Sequence, residues 1–169
     1  MSTMTIKPAP VRRSLVVKAG PERAFSVFTE GFGRWWPASH TISAGFKTAV
    51  IEPRVGGRWF QVGEDGTEAD WGHVIAWEPP SRLVLAWQIG AEYRFDPNLV
   101  TEVEVRFSPE GDGATRVDFE HRHLERLGER AAALREQFES PNGWGFLLDL
   151  FAKAAEARPT DRFAQRRSS

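Results

Sequence analysis

The chain has 169 residues, none of them Cys, with an aromatic set of twelve Phe, seven Trp and one Tyr. Without Cys there is no disulfide framework, no thiolate metal site and no thiol nucleophile. With 22 basic against 23 acidic residues the totals carry no electrostatic footprint for nucleic acid, and no apolar run approaches the ~20 residues of a membrane helix. Met1–Pro10 has no periodicity and no apolar signal-peptide core, so residues 1–10 are expected to be flexible and the protein cytoplasmic. Arg13–Lys18 reads as a strand, stopped by Ala19-Gly20-Pro21. Pro21 suits a first helical turn, and Ala24, Phe25 and Phe28 recur at helical spacing, which predicts a short helix over Pro21–Thr29. Gly31 and Gly33 break it, and a second short helix over Phe32–Trp36 ends before Pro37. Thr48–Glu52 and Arg58–Val62 form a hairpin around Pro53-Arg54-Val55-Gly56-Gly57. Asp70–Glu78 alternates, with Trp71, His73, Ile75 and Trp77 on one face. Arg82–Ile89 brings Leu83, Leu85, Trp87 and Ile89 together. Thr101–Ser108 sets Val103, Val105 and Phe107 against Glu102, Glu104 and Arg106, and Thr115–His121 turns Val117 and Phe119 inward. These strands predict an antiparallel meander. Glu125–Phe138 reads as a charged surface helix. Ser140-Pro141 is expected to cap the last helix, where Trp144, Leu147, Leu148, Phe151, Ala152 and Ala155 make one apolar stripe. One α+β domain over 11–157 and a flexible tail over 158–169 complete the reading.

Chemistry-bearing groups are sparse. His121 and His123 would share a face on a continuing strand, but two ligands are too few, so no metal site is expected. His73, alternating with Trp71 and Ile75, would point inward and orient a carbonyl or act as acid or base. The opposite parity, with Gly72, Val74 and Ala76 inside, stays open. His40 lies in a loop and carries no signal. Glu102, Glu104 and Arg106 read as a solvated ladder. No Ser–His–Asp order or nucleophile elbow is visible, so no catalytic residue and no cofactor are assigned.

Several local motifs nevertheless occur together and in order. They are Pro21-Glu22-Arg23-Ala24-Phe25, Trp35-Trp36-Pro37, Glu52-Pro53-Arg54-Val55-Gly56-Gly57-Arg58-Trp59, Gly72 through Leu83, Trp87 and Gly143-Trp144. With the element order, this resembles the helix-grip fold of the SRPBCC superfamily, which includes START-like and Bet v-like proteins, and within it the activator of Hsp-90 ATPase homologue family. The resemblance implies a curved antiparallel sheet around a long C-terminal helix, two short helices after the first strand, and a cavity between sheet and helix. Trp35, Trp36 and Phe46 fall in the segment that rims the entrance in such folds. Strand parity independently nominates Trp71, His73, Trp87, Phe107 and Phe119, and helical spacing nominates Trp144, Leu148 and Phe151. Tyr93 and Arg94 would orient a ligand from a loop. Trp59, Trp77 and Trp87 suit the sheet framework, while Trp35, Trp36, Trp71 and Trp144 suit the cavity; Trp35 and Trp36 cannot both face the core of a short helix. The expected function is binding of a small hydrophobic or aromatic molecule. The alternatives are a cyclase- or hydrolase-type enzyme in the same cavity and a co-chaperone-like interaction module. Neither nucleic acid nor membrane insertion is expected, and a homodimer is allowed for.

Overall fold

Apolar alternation interrupted by short turns builds one sheet. A computed structural model describes residues 8–90 and 92–157; the flexibility expected of the two ends falls largely on residues outside these. Seven antiparallel strands are formed: β1 (Val11–Val17), β2 (Phe46–Ile51), β3 (Arg58–Gly63), β4 (Glu68–Glu78), β5 (Arg82–Trp87), β6 (Thr101–Pro109) and β7 (Thr115–Arg122). The spatial order is β1-β7-β6-β5-β4-β3-β2, so β2 to β7 meander and β1 returns to the last strand. There Val11 pairs with His121 and Val17 with Thr115. The helices are α1 (Pro21–Thr29), α2 (Phe32–Trp35), α3 (Ala131–Glu139) and α4 (Trp144–Glu156). The architecture is a curved sheet wrapped around C-terminal helices.

The concave face is the core. α4 buries Trp144, Leu147, Leu148, Phe151 and Ala155 against it. α1 adds Phe25, whose ring meets Trp77 at 5.1 Å and Phe107 at 5.3 Å, and Phe28, 5.2 Å from Phe151. Each fully buried side chain of this size is worth roughly 1.5–3 kcal/mol. Arg23 of α1 fastens the far end of α4: its Nε donates to the Ala155 carbonyl at 2.8 Å and its Nη2 to that of Ala157 at 2.5 Å. A cation there meets unpaired carbonyls and the negative end of the helix dipole.

Four local expectations need correction. β4 does not keep one parity. Opposite β3, pairing jumps from Trp59–Gly72 to Phe60–Asp70; opposite β5 it jumps from Val74–Leu85 to Ala76–Val84. Trp71 and Ile75 are therefore bulge residues, and each extra residue shifts the alternation. Trp71 and Val74 are buried, whereas Ile75 is exposed and His73 turns to the convex face. The segment before α3 is not a continuous helix: Leu124–Arg130 is a tight 3₁₀ run broken at Gly128, whose φ is 79°. Ser140 and Pro141 do not open α4. Ser140 ends α3, and Gly143 is the residue before α4. A Cβ on Gly143 would run into the Phe138 and Gln137 carbonyls, so only glycine lets α3 and α4 turn this tightly. Finally, Glu104 is not solvated. It is buried on the convex face, held by Arg82 at 2.6 Å and Arg122 at 2.7 Å. Burial works to raise its carboxyl, but these hydrogen bonds outweigh it and hold the group below the usual range.

Candidate functional site: an aromatic-walled cavity with a polar mouth

Three stretches meet beside the N-terminus of α4: residues 38–42 after α2, the end of β5 with the loop beyond it, and the α3–α4 junction. They enclose a cavity of about 480 Å³. Its apolar wall is Trp36, Ile42, Trp87, Ile89, Phe138, Trp144 and Leu147; Ser39, His40, Thr41, Tyr93, Gln137, Ser140 and Asn142 supply the polar groups. Small-molecule sites commonly have about 300–1,000 Å³ and this mix of surfaces.

The wall belongs to a closed ring of five indoles. Successive centroid distances are Trp36–Trp71 5.3 Å, Trp71–Trp59 5.5 Å, Trp59–Trp87 5.7 Å, Trp87–Trp144 5.5 Å and Trp144–Trp36 5.9 Å. Tilted and edge-to-face contacts at these distances are favourable aromatic geometry. Four of the N–H groups are used within the protein. Trp36 donates to the His40 carbonyl at 2.8 Å, Trp71 to Gln61 Oε1 at 2.9 Å, Trp87 to the Ile89 carbonyl at 3.2 Å and Trp144 to His121 Nδ1 at 3.2 Å. Trp59 Nε1 is buried without a hydrogen-bond partner among the described residues. Trp59 lies over Gly72, where a Cβ would collide with the Ala86 carbonyl and approach the indole to 3.5 Å.

Behind the wall, His121 organises two of the indoles. Its Nδ1 accepts from Trp144, so Nε2 carries the proton and donates to Thr101 Oγ1 at 2.8 Å. The Thr101 hydroxyl in turn donates to the Trp87 carbonyl at 3.0 Å. The imidazole is fully buried, and desolvation pushes it down to about 3, so it is neutral at physiological pH. His123 adopts left-handed backbone with φ 64° just past β7 and does not share the face of His121. Among the described residues no group of three or more His, Asp or Glu comes together to hold a metal.

The mouth is held by hydrogen bonds. The Tyr93 hydroxyl donates to Gln137 Oε1 at 2.8 Å, linking the loop after β5 to α3. His40 is tied on both sides. The Asn142 carbonyl can only accept, so Nε2–H donates to it at 2.7 Å. Nδ1 is left as an acceptor for the Ser39 hydroxyl at 2.8 Å. The Phe146 ring flanks the imidazole at 5.5 Å.

Of the residues nominated from sequence, Trp36, Trp87, Tyr93 and Trp144 line this cavity. The others are placed elsewhere. Trp35 and Trp36 are both buried. Trp35 packs on Phe28, Phe32 and Phe151 and donates to the Val27 carbonyl at 3.1 Å, while Trp36 turns to the cavity. Two adjacent indoles are accommodated because Trp36 is the first residue past α2, in extended backbone. Trp71 stands behind Trp36. Phe107, Phe119, Leu148 and Phe151 are core, with the Phe119 ring 4.4 Å from Trp144. Phe46 is half-buried on the β2 edge, and Arg94 is exposed in its loop. His73 does not enter the cavity: the β4 bulges turn it outward, where Nδ1 meets Gln88 Oε1 at 2.8 Å. The sequence reading missed His40, Ser39, Asn142, Gln137 and Phe138 at the mouth, and His121 behind the wall. For His121 a signal existed, since Phe119 faces inward and His121 is two residues on.

The fold and cavity define a helix-grip protein of the SRPBCC superfamily. The family model for activator of Hsp90 ATPase homolog 1-like proteins matches residues 18–156, and the chain belongs to that family. Among solved structures it is similar to Txn09, an anthrahydroquino-γ-pyrone synthase, at 37% identity and TM-score 0.63, covering 89% of this chain and 99% of the other. It is also similar to CalC, a self-sacrificing resistance protein from Micromonospora echinospora, at 35% identity and TM-score 0.65, covering 86% and 93%. Protein NE0264 from Nitrosomonas europaea, at 16% identity and TM-score 0.61 over 86% and 93%, shares the fold. No curated protein matches the sequence. No described helix is long and apolar enough to cross a membrane.

Proposed function

We propose that the protein is a cyclase-type enzyme that closes an oxygen heterocycle on a hydroxylated, planar aromatic substrate. The observation that carries this reading is the pairing of an indole-walled cavity, built from Trp36, Trp87 and Trp144, with a hydrogen-bonded His–Ser pair at its mouth. Flat walls hold a flat ring system, and the mouth supplies groups that exchange protons. The similarity to an anthrahydroquino-γ-pyrone synthase supports the same class of chemistry, because a γ-pyrone fused to an arene is a six-membered oxygen ring with a carbonyl opposite the ring oxygen. That 37% identity runs over almost the whole of both chains.

The test has two arms. Alizarin, a planar hydroxylated anthraquinone, is titrated against intrinsic Trp fluorescence; saturable quenching that Trp144→Leu weakens is expected. Ortho-hydroxybenzoylacetone is then followed by absorbance for closure to the methyl-substituted chromone. Closure faster than the buffer reaction supports the enzyme. Saturable alizarin binding without closure supports a binder instead, and a folded protein that does neither leaves the interaction-module reading as the better one.

A further inference from the structure

We infer that His40 is the proton-transfer residue of this cavity, with the Ser39 hydroxyl as its relay and the Asn142 carbonyl as its orienter. This rests on the cyclase-type reading above. Among the described residues lining the cavity, His40 and Tyr93 are the two that can titrate. The Tyr93 hydroxyl is committed to Gln137. His121, the buried imidazole, is screened by Trp144, and both its nitrogens are occupied. Both nitrogens of His40 are hydrogen-bonded too, but the imidazole itself lines the cavity and its Nδ1 partner is a hydroxyl that can relay a proton. Its tautomer is set by the Asn142 carbonyl, which draws the proton to Nε2. The lone pair on Nδ1 therefore faces a hydroxyl that itself lines the cavity. A hydroxyl, a base within hydrogen-bond reach of it, and a third group orienting the base is the arrangement acid–base chemistry requires.

The step for an ortho-hydroxyaryl β-diketone balances without an oxidant or cofactor. The phenolic proton passes to the Ser39 oxygen as the Ser39 proton passes to Nδ1. The phenolate oxygen attacks the distal ketone carbon. A C–O bond forms, the carbonyl pair moves onto its oxygen, and that oxygen takes the proton back from the imidazolium. The product of this half is a cyclic hemiketal. Nδ1 then accepts a proton from the carbon between the remaining carbonyl and the hemiketal carbon, a C=C bond forms, and the C–OH bond breaks. The leaving oxygen takes the proton from the imidazolium and departs as water. His40 ends neutral, ready for another turn, and the net change is loss of one water. Indole walls on the ring system hold the aryl hydroxyl in place, and the attack proceeds when the distal ketone turns its face to the phenolate oxygen.

The experiment uses the full chain and ortho-hydroxybenzoylacetone, with alizarin binding as a separate readout of cavity occupancy. His40→Ala and His40→Gln should each lose about 100-fold or more in kcat, the low end of what a positioned acid–base group supplies. Alizarin affinity should change by no more than about threefold, so the loss falls on kcat rather than on binding. Added imidazole should restore rate to His40→Ala and not to His40→Gln, whose side chain still fills the place. Ser39→Ala should keep more than about a tenth of the rate, because the substrate hydroxyl can then reach Nδ1 directly. Wild-type closure with His40→Ala equally fast overturns the assignment and leaves the cyclase reading standing. A Ser39→Ala loss as deep as that of His40→Ala also overturns it, placing a nucleophilic serine there instead. Alizarin binding with no wild-type closure overturns the cyclase reading and His40's role together.

Discussion

Lowering the pH should destabilise this fold through His121 before the carboxylates are reached. The folded imidazole is held down to about 3, against an ordinary value of 6.5. Between those values the unfolded chain binds a proton that the folded chain refuses, so stability falls as pH falls below 6.5 and stops falling near 3. Each unit of pH in that window costs about 1.4 kcal/mol. From pH 6.5 to pH 5 the loss is therefore about 2 kcal/mol. For a domain of this size that lowers the thermal midpoint by roughly 4–8 °C. The carboxylates of buried Glu104 and half-buried Glu120 are both held below the ordinary range, so their share is lost only at lower pH, and the window above pH 5 belongs mainly to the histidine. The control is His121→Gln, which keeps an amide donor and acceptor in the pocket but does not titrate. Urea unfolding of both proteins at pH 7, 6 and 5 cancels every other group. The wild type should lose about 2 kcal/mol more than the variant across that range. Parallel pH dependences would refute the account of His121 as a neutral, water-excluded hub.

Two comparisons probe the packing around the cavity. Trp59 and Trp71 are equally buried, but only Trp71 spends its N–H on a protein partner, Gln61. Trp71→Phe should therefore cost about 1–3 kcal/mol more than Trp59→Phe in denaturant unfolding, since the same ring is trimmed in both and only one loses a hydrogen bond; equal costs would mean Trp59 has a partner after all. Gly143→Ala should destabilise by about 1–3 kcal/mol and weaken alizarin binding, because its Cβ forces α3 and α4 apart at the cavity wall. Gly145→Ala, two residues on in α4 with only the Arg13 side chain 3.5 Å away, should instead stabilise by roughly 0.5–1 kcal/mol.

The parts of the fold that sequence reveals are those where one residue type repeats at one period. β6 and β7 pair without a register shift, so Val103, Val105 and Phe107 read as one face directly. α4 is legible for the same reason at helical period. β4 is not, because a bulge changes which face a residue occupies without changing the residue. Simple alternation points His73 inward and leaves the opposite parity open; the bulge at Trp71 breaks that alternation, and Ile75 breaks it again. The cavity mouth was less legible still. His40, Tyr93 and Gln137 come from three separated stretches, two of them irregular, and no period relates them. Trp36 hid its role differently: it lies just past the end of α2, where helical geometry no longer decides its direction.

The hydrogen bonds of the indole ring limit what the wall can recognise. Trp36, Trp87 and Trp144 face the cavity, yet each N–H is already held by the protein. Offering one to a ligand would leave a carbonyl or His121 Nδ1 unpaired, at a cost of about 1–3 kcal/mol. The wall therefore presents faces and edges and no free donors. It selects for flatness and size and is indifferent to where ring oxygens sit. Discrimination between substitution patterns must come from the mouth, from the Ser39–His40 pair and the Tyr93–Gln137 bridge. Ser39, His40 and Tyr93 sit on connecting segments, which tolerate change better than the sheet and α4 beneath them, and Gln137 sits near the end of α3. On the cyclase reading, a change of substrate within this architecture would fall on mouth residues such as Ser39, His40, Tyr93 and Gln137, while the indole ring stays as it is.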